Sequence, residues 1–259
     1  MCYSQNMAQI EIPILSFKDF ESYMFFLPDE STFSGGDLLP PEMTDLYSLY
    51  TQVRTEKSIA IIEYGSGWST FALVKALDEN RRSYSEYVDK YLRHPNPFML
   101  MTVDSSPEFQ QIALRRIAKD LFGTKVIPII STARMTILSG QACHTFEFVP
   151  PFTADFVYLD GPSCDQVEGD VNGMTVAFGS EAYLYGLPMA ADPILLEAFY
   201  WPGTLIVTDG RGANAYFLRN NFKRGWTYRY DKDHDQHIFK LNETPWGGIS
   251  EALLKLKGI

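Results

Sequence analysis

Five short, nearly continuous apolar runs, spaced by stretches of helical character, limit what this chain can fold into more than any other feature. They are SIAIIEY (58–64), FMLMTVD (98–104), KVIPII (125–130), ADFVYLD (154–160) and GTLIVTD (203–209). Runs rich in β-branched residues without polar alternation are the pattern of parallel strands covered on both faces. Between them STFALVKAL, SSPEFQQIALRRIAKDLFG and the stretches 192–200 and 213–221 read as helices. In the second of these, Ser105 and Glu108 have capping-box spacing, Pro107 falls in the first turn and Gly123 is placed to end the helix. ARMTILSGQACHTFEFV predicts a hairpin turning at Ser139-Gly140, and WTYRYDKDHDQHIFKL predicts another near the end of the chain. Repeated β-α units imply an α/β protein with a doubly wound, mostly parallel sheet, here closed by a C-terminal antiparallel β-hairpin.

We read residues 58–259 as one domain, with polar insertions at about 78–97 and 161–191. Residues 1–57 form an N-terminal extension in which the apolar spacing over 41–53 predicts an amphipathic helix packing on the core. A hydrophobic fraction of 46% with 14% aromatics is ample for that core. The net charge of −10 argues against a partner held through its phosphates, so a small molecule is expected rather than nucleic acid. The three cysteines, Cys2, Cys143 and Cys164, are far apart and fit neither a disulfide framework nor a zinc cluster. No apolar run approaches the roughly 20 residues of a membrane span, and the first residues lack the pattern of a signal peptide. A cytoplasmic protein without a membrane partner is expected, and a homo-oligomer is left open.

The first apolar run leads into EYGSGWST (63–70). Gly65 and Gly67, at a strand end and before a helix, allow positive φ and close approach of a ligand to the backbone. Dinucleotide enzymes place a third small residue where this chain has Thr70, and no phosphate-binding G-x-x-x-x-G-K-[ST] occurs. Asp104 ends the second run. An acid there either accepts hydrogen bonds from ribose hydroxyls or caps the following helix.

EYGSGWST, TVDSS, DFVYLDGPS and LIVTDGRG, with the terminal strand pair, resemble the class I S-adenosylmethionine-dependent methyltransferases over about Pro41 to Leu241. E-x-G-x-G is the specific part of that resemblance. The resemblance implies a Rossmann-like methyltransferase fold with a seven-stranded-type sheet, and S-adenosylmethionine as cofactor. It implies that Glu63, Gly65, Ser66 and Gly67 wrap the cofactor, that Asp104 and Ser105 lie at its ribose, and that Ser131 to Ala133, with Thr132, lie near its adenine. Ser69 and Thr70 either bond the cofactor or cap the helix. The alternatives are a binding protein of the same fold without turnover and, third, a nicotinamide-dependent oxidoreductase.

Asp160 and Asp209 end the fourth and fifth runs and are expected to point into the same crevice. Asp160 reads as a cofactor contact, a general base or an acceptor-orienting group. Asp160, Asp209 and Asn214 also suit a divalent metal, but Gly210 and Arg211 stand where metal-dependent O-methyltransferases usually carry Asn, so a metal is not favoured. Arg211 neutralises one of the carboxylates, grips an anionic substrate, or forms a structural ion pair. His144 is the histidine best placed for a base, whereas His234 and His237 fall in the terminal hairpin. The acceptor is expected to be a small or sugar-like molecule methylated at oxygen or nitrogen, covered by the segment after Asp160.

Overall fold

The computed structural model describes residues 11–25, 40–92, 94–117, 123–174 and 189–259. In chain order its elements begin with α1 (Phe17–Met24), α2 (Met43–Thr55), β1 (Ala60–Tyr64), α3 (Trp68–Tyr87), β2 (Met99–Asp104), α4 (Pro107–Ile117) and β3 (Lys125–Ile130). There follow β4 (Ala133–Leu138), β5 (Gln141–Phe146), β6 (Phe156–Leu159), β7 (Val167–Glu168), β8 (Met189–Ala190) and α5 (Asp192–Leu195). The chain closes with β9 (Leu205–Asp209), α6 (Gly212–Asn221), β10 (Trp226–Asp231), β11 (Gln236–Leu241) and α7 (Gly248–Lys257).

The main sheet has seven strands in the order β10-β11-β9-β6-β1-β2-β3. β3, β2, β1, β6 and β9 are parallel, while β11 lies between β9 and β10 and runs antiparallel to both. All five predicted parallel strands are present, and the sheet is the doubly wound one that the resemblance implies. β1 is flanked by β2 on one side and β6 on the other, so the chain reverses its direction of winding there. Ligands of such sheets bind beyond the carboxyl end of that strand, which is where EYGSGWST begins.

Alternate residues of the buried strands feed two cores. Ile61, Phe156, Tyr158, Leu205 and Val207 pack on the face covered by α1, α2, α3 and α7. Ile62, Tyr64, Val157, Leu159 and Ile206 pack on the opposite face, against α6 and a second sheet. That smaller sheet has the order β7-β4-β5-β8. Its β4–β5 hairpin turns at Ser139 (φ 51°) and Gly140 (φ 77°), two positive values in succession that match the twist of antiparallel strands. β7 and β8 come from the segment after Asp160, of which residues 175–188 lie outside the described ones.

Three local readings are corrected. The helix expected over 192–200 is a four-residue helix followed by a 3₁₀ turn, Glu197–Phe199. Glu197 Oε1 accepts from Lys223 N (2.8 Å), Arg224 N (2.8 Å) and Trp226 Nε1 (2.9 Å), tertiary bonds that hold this turn against the start of β10. The cap of α4 is Ser106, whose Oγ accepts from Phe109 N at 3.2 Å, while Ser105 Oγ donates to Gln166. The residues before Gly123 lie outside the described ones. Finally, α3 runs on through Tyr87, and its polar residues Asp78, Glu79, Asn80 and Ser83 are buried. Asn80 donates to the carbonyls of Val53 and Ser58 (2.9 Å each), and Glu79 accepts from Tyr50 Oη (2.6 Å) and pairs with Arg54 (3.2 Å). A belt of paired polar side chains, Tyr50, Arg54, Glu79 and Asn80, therefore docks α2 onto α3.

Candidate functional site

The turn after β1 is built by two glycines that serve different ends. Gly65 has φ +96°, and its N–H donates to the Val103 carbonyl at 2.8 Å. A Cβ on Gly65 would lie 2.7 Å from Gly161 N, so here the turn after β1 and the turn after β6 meet backbone to backbone. Gly67 is different. Its φ of 179° is ordinary extended backbone, and a Cβ there would meet no atom within 4 Å. Nothing within the described fold requires a glycine at 67. What the missing side chain leaves is open space at the mouth of the crevice.

Glu63 anchors this turn from beneath. It is wholly buried and accepts from Ser69 Oγ (2.7 Å) and Thr70 Oγ1 (2.8 Å), and Thr70 Oγ1 in turn accepts from Gly67 N at 3.0 Å. The three side chains thus brace the start of α3, and both hydroxyls are engaged within the protein. Burial pushes the Glu63 carboxyl up to about 8, with the hydroxyl bonds working in the opposite direction.

Asp104 clasps the same turn from the side. Its Oδ2 accepts from Ser66 N (2.7 Å) and Ser66 Oγ, and its Oδ1 from Ser106 N (2.8 Å). Burial raises its carboxyl while these donors hold it down. Ser131 N donates to the Asp104 carbonyl at 2.9 Å, and the Thr132 carbonyl accepts from Glu147 N at 2.9 Å. The ends of β1, β2 and β3 therefore bring Gly65, Ser66, Gly67, Asp104, Ser105 and Ser131 to one edge of the sheet.

Asp160 and Asp209 stand at the ends of the neighbouring strands β6 and β9, where each carboxyl acts on the other. Burial, then the Asp160 charge, pushes Asp209 up to about 7; burial raises Asp160 while Arg211 lowers it. The pair therefore holds a proton near neutrality. Arg211 turns to main-chain carbonyls: its guanidinium donates to Asp160 O and to Pro162 O (3.0 Å). It clips down the turn after β6 and lends charge to Asp160 from there.

The other candidates do not join this group. His144 lies on β5 of the second sheet, 1% exposed, and burial followed by the charge of Arg211 pushes it down to about 3. A neutral, weakly basic imidazole in the core does not suit a general base. Asn214 binds the backbone of Ala190 through Oδ1 (2.6 Å) and Nδ2 (3.4 Å) and so does not join the two aspartates. Among the described residues no group of three or more His, Cys, Asp or Glu is arranged to hold a metal ion. His237 Nδ1 faces Tyr228 Oη at 2.9 Å, and His234 pairs with Asp231 at 3.1 Å, both in the terminal hairpin. Tyr64 stacks on Phe146 and Trp68 lies under the Arg116 guanidinium, 3.6 Å from ring centroid to carbon, so both large residues of the turn are packing residues. No helix among the described residues is long and apolar enough to cross a membrane.

Sequence reasoning missed Gly161. The glycine directly after a strand-end acid was a visible sign of close backbone approach.

The buried acids set an expected pH dependence. Glu63, Asp209 and Asp192, the last two at about 7, hold protons in the fold that the unfolded chain releases near pH 4, so they stabilise at low pH and lose that contribution as pH rises to their folded values. The histidines act the other way. His144, His94 and His237 are all lowered by burial, so they destabilise as pH falls below about 6.5. The two sets oppose one another below pH 6.5, and only the acids operate above it. Stability is expected to fall by roughly 1–2 kcal/mol between pH 6.5 and 8. Urea denaturation at these two pH values checks this, and a rise over that interval would contradict the assignment of Glu63.

No protein-family model matches the chain, and no curated protein matches it. Among solved structures it is similar to an SAH-bound methyltransferase from Podospora anserina, at 12% identity over 90% of this chain and 89% of that one, with a TM-score of 0.47. A methyltransferase from Geobacter sulfurreducens has 11% identity, 90% and 100% coverage and a TM-score of 0.46. The O-methyltransferase TomG from Streptomyces achromogenes, in complex with SAM, has 12% identity, 88% and 100% coverage and a TM-score of 0.43.

Proposed function

We propose that this chain is an S-adenosylmethionine-dependent methyltransferase of class I, acting on a small-molecule acceptor at oxygen or nitrogen. The observation that carries the reading is Gly67, a glycine whose missing side chain leaves open space at the switch point of the sheet, inside E-x-G-x-G. The residues around it fit the cofactor. Gly65 to Gly67 offer backbone, and Ser131 stands next to Asp104. The Asp104 carboxylate has about four lone-pair positions. Three donors occupy it, one of them the Ser66 hydroxyl, which rotates freely enough to give way to a ribose hydroxyl.

When bound, S-adenosylmethionine supplies an electrophilic methyl group on its sulfonium. The chain's own residues then have three tasks. Glu63, Ser69 and Thr70 hold the turn rigid. Arg211 pins the segment after Asp160, which limits access of water to the crevice. The Asp160–Asp209 pair, holding one proton between two carboxyls near neutrality, takes up the proton that the acceptor's O–H or N–H releases.

Calorimetry with S-adenosylhomocysteine tests the reading in the intact chain and in Gly67→Val. The unmodified protein is expected to bind. The variant, with a branched side chain in the open space, is expected to bind roughly 100-fold more weakly. Its melting temperature should change by no more than about 4 °C, because extended backbone accepts valine and only the helix cap is weakened. Equal affinity in the variant, or binding of NAD in place of S-adenosylhomocysteine, would sink the proposal.

A further inference from the structure

We infer that residues 161–168 form a strap across the carboxyl edge of the main sheet, and that its far end unlatches for the cofactor to enter and leave. This deepens the methyltransferase reading and rests on it. The strap touches the edge in the order in which the strands lie. Gly161 meets Gly65 at the end of β1, where its N–H donates to the Tyr64 carbonyl at 2.7 Å. Gln166, closing a 3₁₀ turn over Cys164–Gln166, accepts through Oε1 from Ser105 Oγ at 2.8 Å, just past the end of β2. Val167 and Glu168 then pair with Ala133 and Arg134, just past the end of β3. From β6 to β3 is three strand spacings of about 4.8 Å, roughly 14 Å, which the segment 161–168 spans with chain to spare.

Gly65, Ser105 and Ala133, the points the strap touches, are positions at which the resemblance puts the cofactor. The strap does not fill the space between them, since a Cβ on Gly67 would meet no atom within 4 Å. A cofactor laid along this edge is therefore bridged from above, held between the strap and the ends of β1, β2 and β3.

The two ends of the strap are held unequally. At the near end Asp160 N and Gly161 N both donate to the Tyr64 carbonyl, Arg211 donates to the carbonyls of Asp160 and Pro162, and Gly161 and Pro162 are buried. The far end has the Ser105–Gln166 bond, a ladder of two residues, the buried side chain of Val167 and an ion pair between Arg134 and Glu168. That pair is 3.5 Å long with side chains 49% and 61% exposed, a kind that holds weakly. Arg134 has a nearer partner in Glu147, at 2.5 Å, and so stays paired when Glu168 leaves. An end tied so lightly opens locally without unfolding the rest, and the moving parts of binding sites are drawn from such segments. The near end is the hinge and Gln166 the latch.

Stopped-flow tryptophan fluorescence with S-adenosylhomocysteine tests this by measuring association and dissociation separately. Gln166→Ala removes the latch bond from the free and the loaded protein alike. Both rates are expected to rise about 5-fold, with Kd within about twofold and the melting temperature within about 4 °C of the unmodified protein. Arg134→Cys/Glu168→Cys places a disulfide between register partners on adjacent strands, about 4.8 Å apart and within the range such a bond needs. The oxidised form is expected to exchange ligand at least about 10-fold more slowly than the same protein after reduction. Unchanged rates in Gln166→Ala, or a rise in dissociation alone, would overturn the inference. So would full-speed exchange in the cross-linked protein, or failure of the cross-link to form by peptide mass mapping, which would contradict the pairing of β7 with β4. Absence of S-adenosylhomocysteine binding in the unmodified protein overturns the methyltransferase reading, whereas binding with rates that neither variant alters overturns the strap alone.

Discussion

Replacing Gly161 by alanine is expected to cost about 3 kcal/mol or more, a fall in melting temperature of roughly 6–12 °C by calorimetry. A Cβ at 161 would stand 2.5 Å from Gly65 Cα, 2.9 Å from Gly65 N and 3.4 Å from Tyr64 C. All three are backbone atoms of the central strand's end, so no side chain can rotate to relieve the clash. Separating the two turns would strain the bonds from Asp160 N (2.9 Å) and Gly161 N (2.7 Å) to the Tyr64 carbonyl, and that from Gly65 N to Val103. Those bonds also set Asp160 against the turn that carries Gly67, so the loss of stability should come with loss of ligand binding. Gly67→Val, by contrast, should lose binding and keep stability. If Gly161→Ala melts within 2 °C of the unmodified protein, the close approach of the two turns is not as described here.

The difference between those two glycines marks how far the sequence could be read. Both fall just after a strand end and both look like turn formers in a one-dimensional string. Only the contact between residues 65 and 161, almost a hundred positions apart, reveals that one pair serves packing while Gly67 faces open space. The parallel strands were legible because burial on both faces removes polar alternation, a signal that needs no partner to be seen. Glu63 and Asp104 stood out in the sequence by position, but their bonds to Ser69, Thr70 and Ser66 depend on how a helix start and a neighbouring strand come together. The polar half of α3 misled for a related reason. Glu79 and Asn80 look solvated until Arg54 and the main chain of α2 are placed against them.

The second large effect is expected at the far end of the sheet, from Lys257→Met. Lys257 Nζ lies 2.9 Å from Asp155 Oδ2 and donates to the Glu56 carbonyl at 3.0 Å, and both side chains of the pair are buried. Asp155 Oδ1 meanwhile accepts from Ile59 N (3.0 Å) and Ala60 N (2.8 Å), so one carboxylate ties α7 to the first residues of β1. Methionine fills nearly the same volume but leaves that carboxylate buried without its counter-charge, which typically costs about 3–5 kcal/mol. Asp155→Asn in the same chain removes the orphaned charge while keeping an oxygen for Ile59 and Ala60. The double variant should therefore be less destabilised than the two single losses added together. Urea denaturation at constant slope measures all three, and simple additivity would mean that the pair contributes through packing rather than charge. The pair sits at the amino ends of β1 and β6, away from Gly67 and Asp209. Affinity for S-adenosylhomocysteine well below the unfolding midpoint should accordingly stay within about twofold of the unmodified protein, where Gly161→Ala loses stability and binding together.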